Sequence, residues 1–478
     1  MSRTRRLGAL TSTALLLGLL PSSATGSLPA DDPAPARPAP GAPGIGDPYW
    51  PLDGNGGIDV QHYDIDDRYD FATGELSGTT TLTLRATADL SRFNLDLLLP
   101  VSAVTVGGTP AAFTKTSAHE LQVTPAAALA RGATTDVVVT YAGRPGPIRY
   151  AGERNWLADE DEVVTMNEPH MAPWWYPAND HPRDKATFDI TVTGPATHQV
   201  VSNGLLVDRT VDGAVATTHW RSVHPMATYL AFFALGRYDV EQSVRGGLPS
   251  YVAVSQELEP ERRASAMRSL RRSGEITAWL AQRLGPYPFE STGGVATSLG
   301  DRFEQGAFAL ENQTRPVYPD YQGVDIVVHE LTHQWFGDSV SVRRWRDIWL
   351  NEGFAQFMEV YYDARHGGPT AQQWLRLTRS SYARWNVDIG DPGPGRVFDD
   401  AVYTRGAMAV QALRHRIGDR RFWRLLRTWT RDHRYGNGTV DDFRDLAERI
   451  TGWQLDRFFR VWLRAPRPPA RTRANGLR

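Results

Sequence analysis

Two histidines four positions apart, His329 and His333, form H-E-x-x-H with Glu330 inside Val327-Val328-His329-Glu330-Leu331-Thr332-His333-Gln334-Trp335-Phe336. On a helix, residues four apart share a face, so both imidazoles can reach one ion. Glu330 then stands at the mouth of that site, placed to take a proton from a metal-bound water. The bland reading is a helix that happens to carry two histidines, and a third ligand is needed to decide. Glu352 is available nineteen positions after His333, in the apolar, helix-length stretch Ile348-Trp349-Leu350-Asn351-Glu352-Gly353-Phe354-Ala355-Gln356-Phe357. An unpaired carboxylate amid Trp349, Leu350, Phe354 and Phe357 would be costly to bury, which favours the ligand reading. Three protein ligands leave a fourth zinc position open for water, the arrangement of a catalytic site. Imidazole and carboxylate donors suit zinc, one ion per chain.

The elements that must position these groups follow from the local pattern. Val327, Val328, Leu331 and Trp335 anchor the first helix in a core, and Gly337 is a natural stop for it. A polar loop through Arg344 leads into the second helix, and two helices joined by a short connection pack as neighbours.

Upstream, residues 47–243 read as β. Thr79 to Leu84 alternates as a half-buried strand does; Val104-Thr105-Val106, Asp136 to Tyr141 and Phe188 to Val192 are further short strands bounded by turn residues. From Glu259 the rhythm changes to helical spacing at Ala264, Met267, Leu270, Ile276 and Leu280, and helices, including Thr404 to Ile417, dominate to about Leu463. The fold class is therefore multidomain α and β: an N-terminal antiparallel β saddle or sandwich over 47–243, then a mainly helical catalytic domain over 244–463.

The 478 residues carry a formal net charge of −2, which gives no global signal for nucleic acid, and the absence of cysteine excludes disulfides and thiolate ligands. Residues 1–24 resemble a signal peptide: Arg3, Arg5 and Arg6, an apolar run from Leu15 to Leu20, and a small-x-small site at Ser22-Ser23-Ala24. Secretion is expected, with the Sec and twin-arginine routes both open. No later stretch is long and apolar enough to span a membrane. Residues 25–46 form a Pro/Ala-rich linker and 464–478 a basic tail, both expected to be disordered. A monomer is the default expectation for the oligomeric state.

Together these pieces resemble the aminopeptidase N family of zinc metallopeptidases, which includes leukotriene hydrolase. The flanking Asn351-Glu352-Gly353-Phe354-Ala355 reproduces the family's core. Phe308-Ala309-Leu310-Glu311-Asn312 looks like its Gly-Ala-Met-Glu-Asn exopeptidase motif. Trp175-Tyr176-Pro177-Ala178-Asn179-Asp180-His181-Pro182, Lys185-Ala186 and Gly285-Pro286-Tyr287-Pro288-Phe289 match further segments, and Tyr403 sits where the family keeps its catalytic tyrosine. The resemblance runs over residues 47–463. It implies a β domain packed on a thermolysin-like catalytic domain, zinc held by His329, His333 and Glu352, Glu330 as general base, and Tyr403 as oxyanion donor. It implies that Glu311, with Ala309 and Asn312, and a second acid, Glu168, bind the substrate end and its α-amine, so that peptides lose N-terminal residues. A Glu before Pro169 is otherwise unremarkable.

Departures are equally plain. Phe308 and Leu310 replace the motif's Gly and Met, and Met166 stands where several relatives have Gln. The long helical C-terminal domain of larger relatives has no counterpart, from which a more open cleft is expected. Asn351, Glu359 and Asp338 are candidates to orient the zinc histidines; His170, His181, His366, His415 and His433 read as surface or packing residues. Two other functions compete: an endopeptidase using the same zinc machinery, and a catalytically dead scaffold, disfavoured because all five catalytic and ligand residues are present. Epoxide hydrolysis has no separate signal.

Overall fold

The computed structural model describes residues 37–302, 306–320 and 323–478. The signal segment at 1–24 and the linker up to residue 36 lie outside the described residues. From Pro38 onward the chain forms one compact unit.

The β region is built on an eight-stranded open sheet, in the order Leu205–Asp212, Val215–Ala227, Lys185–Pro195, Ile58–Asp70, Glu75–Ala86, Thr134–Gly143, Val101–Val106 and Thr109–Pro110. Alternation drives it, shifted once by an irregularity between Val60 and His62: Val60, Tyr63, Ile65 and Tyr69 of one strand, and Phe188, Ile190 and Val192 of its neighbour, are buried. The sheet is not wholly antiparallel, as expected from sequence, because Lys185–Pro195 pairs parallel with Ile58–Asp70, from Thr187↔His62 to Thr193↔Arg68. Alternation reveals a strand's faces but not its direction. Two four-stranded sheets complete the region; one of them contains Trp156–Ala158, Val163–Thr165, Phe233–Gly236 and Gln199–Ser202.

The domain boundary expected near residue 243 falls inside the strand Tyr238–Arg245, which pairs residue for residue with Leu248–Ser255. That hairpin heads a further four-stranded sheet, in which Leu248–Ser255, Thr292–Ala296 and Val317–Tyr318 run parallel. Two helices pack against it, α1 (Pro260–Leu270) and α2 (Ser273–Leu284), and α3 (Val324–His333), α4 (Trp349–Arg365), α5 (Ala371–Ser381), α6 (Asp400–Ile417), α7 (Asp419–Asp432) and α8 (Val440–Thr451) follow in the chain. The β and helical regions share one hydrophobic core, from Val60 and Tyr63 through Trp335 and Phe354 to Trp462.

Two segments expected to be disordered are instead packed where they are described. Ala39–Pro40 pairs parallel with Leu90–Asp96, and Gly41 N donates to the Arg92 carbonyl (2.9 Å). In the tail, Trp462 Nε1 donates to the Asn475 carbonyl (3.1 Å), Arg379 donates to the Pro469 carbonyl (2.6 Å), and Asn475 is buried. Hydrogen bonds to main-chain carbonyls hold both segments, and composition carries no record of those. Among the described residues, no helix is long and apolar enough to cross a membrane.

Candidate active site

The three expected ligands meet across two helices. His329 and His333 lie one turn apart on α3, and Glu352 lies in the first turn of α4. Glu352 Oε2 is 3.4 Å from His329 Nε2 and 3.4 Å from His333 Nε2. Tetrahedral zinc with ligands at about 2.1 Å holds neighbouring donor atoms about 3.4 Å apart. The three side chains therefore fit that ion, at spacings longer than good hydrogen bonds between the same groups. A second buried trio, Asp96, His119 and Glu120, is also compact enough for a metal, but the Lys115 ammonium already acts on its two carboxylates.

The opposite ring nitrogens fix how the histidines face. His329 Nδ1 is 3.3 Å from Glu359 Oε2, and His333 Nδ1 is 3.0 Å from the Phe336 carbonyl. With Nδ1–H donating to these oxygens, each Nε2 lone pair points into the site. Of the three residues expected to do this orienting, only Glu359 does so. Asp338 and Asn351 are buried with side-chain atoms that have no hydrogen-bond partner among the described residues. The Phe336 carbonyl reaches His333 because the chain doubles back at Gly337, whose φ of 131° suits glycine, and where a Cβ would lie 3.3 Å from His333 Nδ1.

Glu352 and Tyr403 are brought together by a close helix crossing. A Cβ on Gly406 would come within 2.7 Å of the Trp349 ring of α4, and one on Gly353 within 3.2 Å of the Gly406 carbonyl carbon. Only glycine at both positions lets α4 and α6 approach this closely. Tyr403, one turn before Gly406, then stacks against His329, with ring centroids 6.1 Å apart. Burial, and then the Glu352 and Glu168 charges, hold its hydroxyl well above the usual tyrosine range, so it stays a proton donor.

These groups line a cavity of about 590 Å³, together with Glu168, Phe308, Ala309, Leu310, Glu311 and Glu330. Carboxylate oxygens of Glu168, Glu311 and Glu352 lie within 4.8 Å of one another, as do ligand atoms of Glu311, Glu330 and His333. Crowding like charges in a buried place has the expected effect. Burial, then the Glu311 and Glu352 charges, raises Glu168 well above the carboxylate range; burial, then Glu352, raises Glu311 against the pull of His333. Burial lifts Glu330 to about 7. Such a cavity favours a cation. Glu168 Oε1 is buried with no hydrogen-bond partner among the described residues.

Asn312 does not face this cavity, contrary to the sequence expectation; it is fully buried and its Nδ2 donates to the Leu230 carbonyl (3.0 Å). Met166 is likewise a core residue, 1% exposed, and does not line the cavity. Sequence reasoning missed Tyr229, whose hydroxyl donates to Glu311 Oε1 (3.1 Å) from a segment 82 residues away. Nothing local marks it. The histidines expected to pack do so: His170 Nε2 lies 2.7 Å from Asp53 Oδ2, and His181 Nε2 3.2 Å from Asp47 Oδ2.

Comparison with known proteins adds an independent line. The family model of the peptidase M1 N-terminal domain matches residues 60–230, and that of the peptidase family M1 domain matches residues 302–462. Tricorn protease-interacting factor F2 of Thermoplasma acidophilum is 24% identical over 454 residues, covering 86% of this chain and 54% of that protein. Leucyl aminopeptidase of Saccharolobus solfataricus is 24% identical, with 66% of this chain and 43% of its own length covered. Glutamyl aminopeptidase of Sus scrofa is 26% identical, with 63% and 34% covered. The chain thus spans about half or less of the length of these relatives. Among solved structures, a mutant M1 zinc metallopeptidase from Deinococcus radiodurans bound to a Tyr-Ser-Ala substrate superposes with a TM-score of 0.79 at 27% identity, covering 89% of this chain and 99% of that one. A two-domain M1 zinc metallopeptidase mutant bound to L-tryptophan gives 0.80 at 27% identity, over 89% and 99%.

Proposed function

This chain belongs to the M1 peptidase family, and from that premise we propose that it is a zinc-dependent aminopeptidase removing N-terminal residues from peptides. His329, His333 and Glu352 are the residues to hold the ion. When bound, zinc supplies Lewis-acid polarisation of the scissile carbonyl and brings the pKa of a water toward neutrality.

The remaining roles belong to the protein's own groups. Glu330, on the cavity wall between the two histidines, accepts the proton of the attacking water and passes it to the leaving amine. The Tyr403 hydroxyl donates to the oxygen on which negative charge develops. Glu311, held by Tyr229, and Glu168 receive the protonated α-amine, which fixes the scissile bond one residue from the chain end. The observation that carries this reading is the crowding of Glu168 and Glu311 against Glu352, carboxyl groups whose charged forms a substrate ammonium standing among them would stabilise. The sequence of residues 1–24 supports secretion as the setting.

The test compares free and N-acetylated aminoacyl fluorogenic substrates, with and without a zinc chelator. Chelator-sensitive hydrolysis of the free-amine set alone is expected. Equal cleavage of both sets would instead identify an endopeptidase using the same site.

A further inference from the structure

Gln334 follows directly on the zinc ligand His333, yet its side chain turns away from the metal site and is fully buried. Its Nε2 donates to the Glu311 carbonyl (3.0 Å), and its Oε1 accepts from Thr314 N (2.7 Å). One amide group thereby takes both main-chain ends of the segment Glu311–Thr314. That segment is a tight turn: Arg315 N donates to the Asn312 carbonyl (2.9 Å), and Thr314 has a φ of 68°. Its far side is fastened to other parts of the molecule, with Asn312 Nδ2 on the Leu230 carbonyl and Gly204 N on Thr314 Oγ1 (2.8 Å). Only Gln334 ties it to the helix that carries the metal ligands, among the hydrogen bonds of the described residues that reach this turn's main chain from α3 or its cap.

We propose that Gln334 is a positioning residue that sets the separation between the metal and the amine anchor, and so sets the exopeptidase register; this rests on the aminopeptidase reading above. The physical reason is leverage. Glu311 has a carboxylate that must meet an ammonium at one fixed distance from the scissile carbonyl. A main-chain carbonyl pinned to the residue next to His333 makes that distance a property of a few covalent bonds and two short hydrogen bonds. Tyr229 aims the Glu311 side chain, whereas Gln334 places its backbone. A displacement of about 1 Å at such a point is enough to lower turnover by roughly 100-fold.

The experiment compares two metal-directed inhibitors, leucine hydroxamate, which carries an α-amine, and acetohydroxamate, which does not, on wild type, Gln334→Met and Gln334→Glu. Zinc content and the exchange rate of the Thr314 amide proton are measured alongside. For Gln334→Met we expect one zinc per chain, faster Thr314 exchange, and an inhibition constant for leucine hydroxamate raised roughly 10–100-fold, with that for acetohydroxamate moving less than about twofold. With its carboxyl ionised, at the alkaline end of the working range, Gln334→Glu keeps the acceptor for Thr314 N and loses the donor to Glu311, so there it should keep slow exchange and still lose amine selectivity. It carries the comparison if the methionine variant does not fold. Proportional weakening of both inhibitors, or no change in either, would overturn the proposal. Equal binding of both inhibitors by wild type would overturn the amine anchor itself, and the positioning role with it.

Discussion

Gly353 and Gly406 meet backbone to backbone: a Cβ on Gly406 would lie 2.9 Å from the Gly353 Cα. The residue before Gly353 is Glu352, of the candidate metal site, and one turn before Gly406 is Tyr403. The approach of the two glycines therefore sets how far the tyrosine hydroxyl stands from the metal site.

Gly406→Ala should push α6 off α4. Overpacking a tight crossing of this kind destabilises by about 1–3 kcal/mol, and the shift of Tyr403 should lower kcat by roughly 100-fold with little change in KM. Thermal melting and steady-state kinetics on one preparation check this. A variant with lowered melting temperature but unchanged kcat would show that the crossing supports the fold without tuning the tyrosine.

Glu330→Gln preserves shape and removes the carboxylate proposed as the base. Losses of roughly 10²–10⁴ in kcat are usual for a general base, and zinc content should be unchanged because Glu330 is not one of the three ligands. Retained turnover at neutral pH would assign proton transfer to another group.

Metal removal should cost stability as well as activity, since three buried ligands on two helices lose the ion that joins them. A ligand present at about a thousand times its Kd adds about 4 kcal/mol to folding. Chelation should therefore lower the melting temperature of wild type and leave His333→Ala, already deprived of a ligand, unmoved. Equal shifts in both proteins would place the chelator's effect at another site.

His170 gives a pH dependence through Asp53 and Glu153. Burial alone would lower its pKa, but the hydrogen bonds and charges of Asp53 and Glu153 raise it from 6.5 to about 10. A raised pKa means that the stabilisation is complete below about pH 6.5 and is lost as the pH climbs through about 10. Melting temperature should fall across that window in wild type and fall less in His170→Gln. Parallel profiles would exclude this group as the source.

Much of this site was legible in the sequence because helix periodicity brings His329 and His333 to one face with Glu330 beside them, and because Glu352 stands in an apolar stretch. The glycines of Asn351-Glu352-Gly353 and Tyr403-Thr404-Arg405-Gly406 were in view too, although their role in helix contact was not. What escaped was set by tertiary structure. The Tyr229–Glu311 hydrogen bond, the Phe336 carbonyl on His333 and the inward turn of Asn312 have no periodic signature. The strands Leu248–Ser255 and Thr292–Ala296 went unread because short apolar runs beside strong helical patterns do not declare themselves. The parallel pairing of Lys185–Pro195 with Ile58–Asp70 joins strands more than a hundred positions apart, beyond the reach of any local pattern.

The packed tail carries a practical consequence. Arg405, two positions after Tyr403, is buried and donates to the Trp462 carbonyl (2.7 Å) and the Ala465 carbonyl (2.8 Å), and Arg416 at the other end of α6 donates to the Ala474 carbonyl. The helix that presents Tyr403 is thus strapped at both ends by the stretch 462–475. A purification handle or fusion partner joined directly to that stretch, or trimming of it by a contaminating protease, would pull on the tyrosine itself, so preparations that differ only there should differ in turnover.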